Sequence, residues 1–506
     1  MVSIRILVPV LSLGHLVAAI PVAPVQAATA PSADAAPAFT PALTYEACPT
    51  GEELPRGTRC AELTVPLDWQ TPDDGRTTQI ALRVIRSKQR GGGFTFNPGG
   101  PGVSGIGFTS AIYAELPDSV RARFDLVTWD PRGVGLSGPA LDACADAALA
   151  DLPATGPVDW QAFWEAQLAL TAEANSACLA GNPEAAPYLG TWQVVRDLEA
   201  MRIALGYEQW NYWGMSYGTR IGHAYARTFP TSLRSLIMDG SVMSGETLYR
   251  FGTTYPAALE MSQQVYASVV ARAQAHKIDV IFDYLDDDTI PTTVGDLTRW
   301  SFALGLKTLL GQQVLYPVLR AEVNQLYDAI TAAGSASRAR ALREAGESWL
   351  RLPRENPQGV TLVLINCSDL HDRPTASQRA AASVAAERQY GTATPLWSFN
   401  ASLCAGLPAD MSPASPSGTG TISLATPPMF VLSTGDSATP WVWGRSMANS
   451  VARSRVISYA STQHVTYLQT PSACVNDPVT RYLLTLQRPS ADISCRFSPS
   501  PVPPPQ

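Results

Sequence analysis

Apolar and polar positions along this chain change rhythm twice. Two β-patterned segments, Glu62–Leu67 and Gln79–Ile85, come first. Short apolar strand candidates follow at Phe94–Phe96, Asp125–Trp129, Gln209–Trp213 and Ser235–Met238, with helical spacing over Asp159–Leu179 and Val194–Leu205 between them. Near residue 244 the alternation stops, and to about 424 the pattern is mostly helical, as in Ala257–Ala275 and Val318–Leu342. Strands then return at Met429–Thr434 and Arg455–Tyr459, with a late helix over Pro478–Leu486. Short apolar strands alternating with helices predict a doubly wound, mostly parallel sheet. One α/β core, residues 44–243 and 425–497, interrupted by a helical insertion over 244–424, is the simplest organisation.

The ends read differently. Arg5 is the single charge before residue 30, an apolar stretch runs from Ile6 to Ile20, and small residues follow at Val25-Gln26-Ala27. That order predicts a cleaved export signal over residues 1–27. The apolar run is shorter than the roughly 20 residues of a membrane span, so no stable membrane anchor is expected. Residues 28–43, mostly Ala, Pro, Ser and Thr, predict a flexible lead-in, and 498–506 a Pro-rich tail.

Composition narrows the chemistry. Apolar residues make up 46% and charged residues 16%, as a core-forming protein requires, and the net charge of −7 with no basic cluster argues against a nucleic-acid partner. Eight cysteines in an exported chain imply four disulfides, and joining neighbours along the chain is the simplest pairing: 48 with 60, 144 with 178, 367 with 404, 474 with 495. Five histidines, none at ligand spacing to another, and no Cys-x-x-Cys predict no metal site; no cofactor is implied.

The chemistry concentrates at Gly214-Met215-Ser216-Tyr217-Gly218. A strand candidate precedes this Gly-x-Ser-x-Gly segment and a helical pattern, Thr219–Arg227, follows it. That context predicts a nucleophile elbow, a tight turn that exposes a serine hydroxyl above a parallel sheet. A serine needs a base and a group that orients the base, in the order Ser, Asp, His on α/β-hydrolase folds. His464 lies just past the strand candidate Arg455–Tyr459, and Asp436 follows the strand ending at Thr434. Taken singly, His464 reads as a surface-loop residue and Asp436 as a turn residue after Gly435; in this order after Ser216 they read as base and orienting acid. Asp477 and Asp492 come after His464, His223 sits in the helix behind the serine, and Ser104 and Ser137 lack the strand–elbow–helix frame. An oxyanion site needs two backbone N–H donors. Tyr217 supplies one, and Gly100, in the Asn97–Gly102 loop after a strand, the other. The same loop is not a phosphate cradle, because neither Gly-x-Gly-x-x-Gly spacing nor a P-loop lysine is present.

Asn97–Gly102, the run Asp130–Ser137, Gly214–Thr219 and Asp436-x-x-Thr439-Pro440 together resemble the secreted tripeptidyl aminopeptidases, α/β-hydrolase serine peptidases related to proline iminopeptidases. The resemblance extends over nearly the whole chain after the signal. It implies a Ser216–Asp436–His464 triad, a helical cap and release of short peptides from substrates with a free N-terminus. It also implies an acidic anchor for the substrate amine, for which Asp369, in Ile365-Asn366-Cys367-Ser368-Asp369, is the candidate; a solvated or helix-capping aspartate is the plain alternative. The chain departs from the family at Gln463-His464-Val465, where glycines usually flank the histidine. A carboxylesterase would use the same triad, and a binding module on a hydrolase fold would leave it idle.

Overall fold

The computed structural model describes residues 39–498 except 146, 270–271, 353–358, 392–401 and 414–419. The expected signal over 1–27, the lead-in as far as 38 and the tail from 499 therefore lie outside the described residues. The strands are β1 Ala42–Glu46, β2 Thr58–Pro66, β3 Thr77–Ile85, β4 Gly93–Asn97, β5 Asp125–Trp129, β6 Trp210–Met215, β7 Leu233–Asp239, β8 Met429–Ser433, β9 Arg455–Tyr459 and β10 Ile493–Cys495. They form one sheet in the order β1-β2-β3-β5-β4-β6-β7-β8-β9-β10. β1, β2 and β3 pair antiparallel, β3 joins β5 antiparallel, and all pairs from β5 to β10 are parallel.

Side-chain alternation explains why this sheet is covered on both faces. Tyr212, Leu236, Phe430 and Val456 point to one face, where the helices Thr191–Leu205 and Gly218–Thr228 pack. Their neighbours Trp213, Ile237, Val431 and Ile457 point to the other, against Val475, Val479 and Tyr482 of the helix Ala473–Thr485. Strands β4, β5, β6 and β8 are buried along their whole length, which is why they read as continuous apolar runs.

Between β7 and β8 lie the helices Leu248–Val269, Arg272–Asp287, Arg299–Leu310, Tyr316–Thr331, Ser335–Leu350, Gly359–Asp369 and Ala376–Tyr390. Leu285, Phe302, Leu306, Leu319, Val323 and Trp349 give several of them a core of their own. None of the described helices is long and apolar enough to cross a membrane.

Three local expectations are corrected. The lead-in stops short of residue 43, because Ala42 already enters β1 on the open edge of β2, and Phe39 sets its ring edge-on to Trp69. Ala257–Ala275 falls in two helices rather than one. Val318–Leu342 is split as well: Ala332 is extended and Gly334 has φ +101°, a conformation that no helix contains. The four disulfides join Cys48–Cys60, Cys144–Cys178, Cys367–Cys404 and Cys474–Cys495, the nearest-neighbour pairing.

Candidate active site

Ser216 follows β6 directly with φ +52°, a strained value for a residue with a side chain, and its N–H donates to the Asp239 carbonyl at 2.9 Å. The flanking glycines are steric necessities. A Cβ on Gly214 would lie 2.4 Å from the Gly218 carbonyl oxygen, and one on Gly218 would lie 2.4 Å from that of Asn97. A Cβ on Gly99 would meet the Ser216 Cβ at 2.7 Å, so the loop after β4 passes directly against the elbow.

Asp436 and His464 stand on the loops after β8 and β9. Buried Asp436 accepts His464 Nδ1 at 2.8 Å, the Thr439 hydroxyl at 2.8 Å, and the N–H groups of Ala438 and Thr439 at 2.8 and 2.9 Å. A carboxylate accepts only, so the shared proton sits on Nδ1 and leaves the Nε2 lone pair as a base. Ser216 and His464 border one cavity of about 450 Å³, together with Gly100, Tyr217, Thr439 and apolar side chains including Val242, Leu248, Phe251, Leu362 and Leu370. The arrangement can take a proton from Ser216, return it to a leaving group and hold an acyl group among apolar walls.

The expected oxyanion donors lie on this cavity. The Gly99 N–H is occupied by Asn97 Oδ1 at 3.0 Å, whereas among the described residues no acceptor engages the N–H of Gly100 or Tyr217. The Tyr217 ring is buried, and its hydroxyl meets Thr191 Oγ1 at 2.7 Å. Burial and the nearby Asp369 charge raise that phenol well above its ordinary range.

Asp369 is not among the described residues that line this cavity. Its carboxylate is buried and accepts Arg220 Nη1 at 2.9 Å, the Thr191 N–H at 2.7 Å and the Thr191 hydroxyl at 2.5 Å. The cavity beside Ser216 carries no aspartate or glutamate among its described lining residues; its charged members are Arg220 and Lys307. Arg220 also pairs through Nε with Glu246 at 2.8 Å. Glu246 is buried, its pKa raised by desolvation against the pull of Arg220, and its Oε1 has no donor among the described residues. Arg220, Glu246, Asp369 and His223 surround a second, small space of about 20 Å³.

Sequence reasoning passed over Arg220, Glu246, Thr439 and Asp239. Only Thr439 carried a signal, in the Asp-x-x-Thr-Pro run. The rival residues have other partners: His223 bonds Ser450 at 2.8 Å, with burial lowering its pKa to about 4, and Ser104 bonds Asp130 at 2.6 Å.

Residues 94–267 match the family model of the alpha/beta hydrolase fold, and residues 390–495 match that of TAP-like proteins. Serine protease Hip1 of Mycobacterium tuberculosis is 29% identical over 472 residues, covering 88% of each chain. The tripeptidyl aminopeptidase of Streptomyces lividans is 34% identical over 217 residues, 41% of this chain and 40% of that one. Carboxylesterase B of Mycobacterium tuberculosis is 27% identical over 541 residues, covering 96% and 97%.

Proposed function

Because the chain is an α/β-hydrolase with a TAP-like C-terminal segment, and with it a serine hydrolase, we propose that it is an exported serine exopeptidase releasing short peptides, tripeptides first among them, from free N-termini. Ser216 attacks the scissile carbonyl, His464 takes the proton and returns it to the leaving amine, and Asp436 holds the imidazole. The N–H groups of Gly100 and Tyr217 stabilise the oxyanion. The single observation that carries this reading is the opening of the Ser216 elbow and of the His464–Asp436 pair, 2.8 Å apart, onto one cavity.

Peptide substrates are supported by the relatives named as a protease and as aminopeptidases. The insertion of residues 244–424 acts as a cap that admits chain ends and excludes folded protein. Export is supported by four disulfides, which form in oxidising compartments.

One observation favours a second reading, a carboxylesterase. The cavity walls are apolar with two cations and no acid among the described residues, which suits an acyl ester better than an ammonium group. Chromogenic substrates separate the two: a free-amine tripeptide anilide, its N-acetylated twin, a single-residue anilide and a butyrate ester, each with wild type and Ser216→Ala. Rapid cleavage of the free tripeptide with the acetylated twin spared is the expected result. Fast ester turnover with inert anilides would establish the esterase instead, and an active Ser216→Ala would refute the nucleophile.

A further inference from the structure

The loop that carries His464 is gripped from two sides. On the sheet side, the Asp239 carboxylate accepts the N–H of Thr466 at 2.9 Å and of Tyr467 at 2.8 Å. On the other side several partners come from the insertion. The His464 N–H donates to the Gly311 carbonyl at 2.8 Å, and the Thr462 hydroxyl donates to that of Leu310. The Tyr316 hydroxyl accepts the Thr462 N–H at 3.0 Å. Gln463 Oε1 accepts the Gln313 N–H at 2.7 Å, while its Nε2 donates to the His464 carbonyl at 2.8 Å.

These acceptors have a physical reason to be there. Leu310 and Gly311 end the helix Arg299–Leu310, whose last carbonyls have no partner inside the helix. The histidine loop fills them. Gln463, buried, uses both ends of its amide at once, one on the insertion and one on the peptide group of His464. A residue without a side-chain amide at 463 would make neither of these bonds, while the backbone contact of His464 to Gly311 would remain.

We propose that Gln463 is a positioning residue that couples the seating of the helical insertion, through Gln313, to the orientation of His464. The insertion then does more than shape the cavity: it aligns the base. This rests on the reading of His464 as the base.

The experiment measures the rate at which a fluorophosphonate labels Ser216, with kcat and KM on a butyrate ester and Tm, in wild type, Gln463→Met, Gln313→Pro, Gln313→Ala and His464→Ala. Gln463→Met keeps the volume and loses both bonds. Gln313→Pro removes the donor from the insertion side, at the first position of a short helix where proline is tolerated; Gln313→Ala, which loses the same side-chain bonds to the Tyr459 hydroxyl at 3.0 Å and the Ser498 carbonyl at 2.6 Å but keeps the N–H, is its control and should label like wild type. Labelling and kcat should fall about tenfold or more in Gln463→Met and Gln313→Pro, with KM and Tm close to wild type, because misplacing a base affects the chemical step and leaves binding intact. Wild-type labelling by either of these two in folded form overturns the proposal, and if Gln463→Met does not fold, Gln313→Pro alone decides. Wild-type labelling by His464→Ala would instead sink the assignment of the base.

Discussion

Asp239 joins the two halves of the site at the end of β7. Its carbonyl holds the Ser216 N–H, and its carboxylate holds the loop behind His464. Burial pushes its carboxyl up to about 7, even against two donated N–H groups. A raised folded pKa means that the native state binds the proton more tightly than the unfolded chain does. The Asp239 contribution to stability is therefore complete below about pH 4 and is lost as pH rises through about 7. Unfolding of wild type and Asp239→Asn, compared from pH 5 to 8, should show wild type losing stability relative to the variant as pH rises; parallel curves would mean that Asp239 does not titrate there. Two further residue-scale effects concern catalysis. Ser216→Ala should lower kcat at least about 10⁴-fold with the fold intact. Thr439→Val, which removes a hydroxyl donor to Asp436, should lower kcat about tenfold, the equivalent of ~1.4 kcal/mol, with little change in KM; an unchanged kcat would make Thr439 a bystander. At this scale the positions proposed as nucleophile, acid and base were legible because each stands just past an apolar strand. Glu246 and Arg220 were not legible, because their pairing depends on a helix and a loop that meet only in the fold.

Among elements, the elbow shows the tightest link between local sequence and geometry. Gly214 abuts the Gly218 carbonyl and Gly218 abuts that of Asn97, with no room for a methyl group at either. Gly214→Ala should destabilise by about 1–3 kcal/mol, as overpacking does, and should slow labelling of Ser216 because the turn must open to relieve the clash. A Gly214→Ala protein with wild-type Tm and labelling would contradict the geometry. The strands of the core were legible to within a few residues, since burial on both faces leaves a strong apolar run. β1 and β10 escaped notice. Each is a short strand at an end of the sheet, with little buried apolar surface to mark it. The helix break inside 318–342 escaped for the opposite reason: apolar spacing continues across it, and only the backbone turns, at Ala332 and Gly334.

For the whole molecule, the disulfides fasten loops that the sheet does not. Cys367–Cys404 closes a separation of 37 residues and anchors the helix that carries Asn366 and Asp369. Replacing both cysteines with serine should cost about 2–4 kcal/mol by the loop-entropy argument. Activity should fall at lower denaturant than global unfolding, because Arg220 loses its Asp369 partner first; coincident loss would show that this helix is held by packing alone. Order along the chain was enough to place a parallel core, a helical interruption and the Ser, Asp, His sequence, because strand periodicity and turn chemistry are local properties. Whether a carboxylate is free to meet a substrate is not local. Asp369 looked available on paper and is held by Arg220 and Thr191, residues distant in sequence. Likewise, nothing in the order of residues says that carbonyls at the end of one inserted helix will hold the histidine loop. Those contacts follow from how the inserted helices seat on the sheet, which only tertiary packing decides.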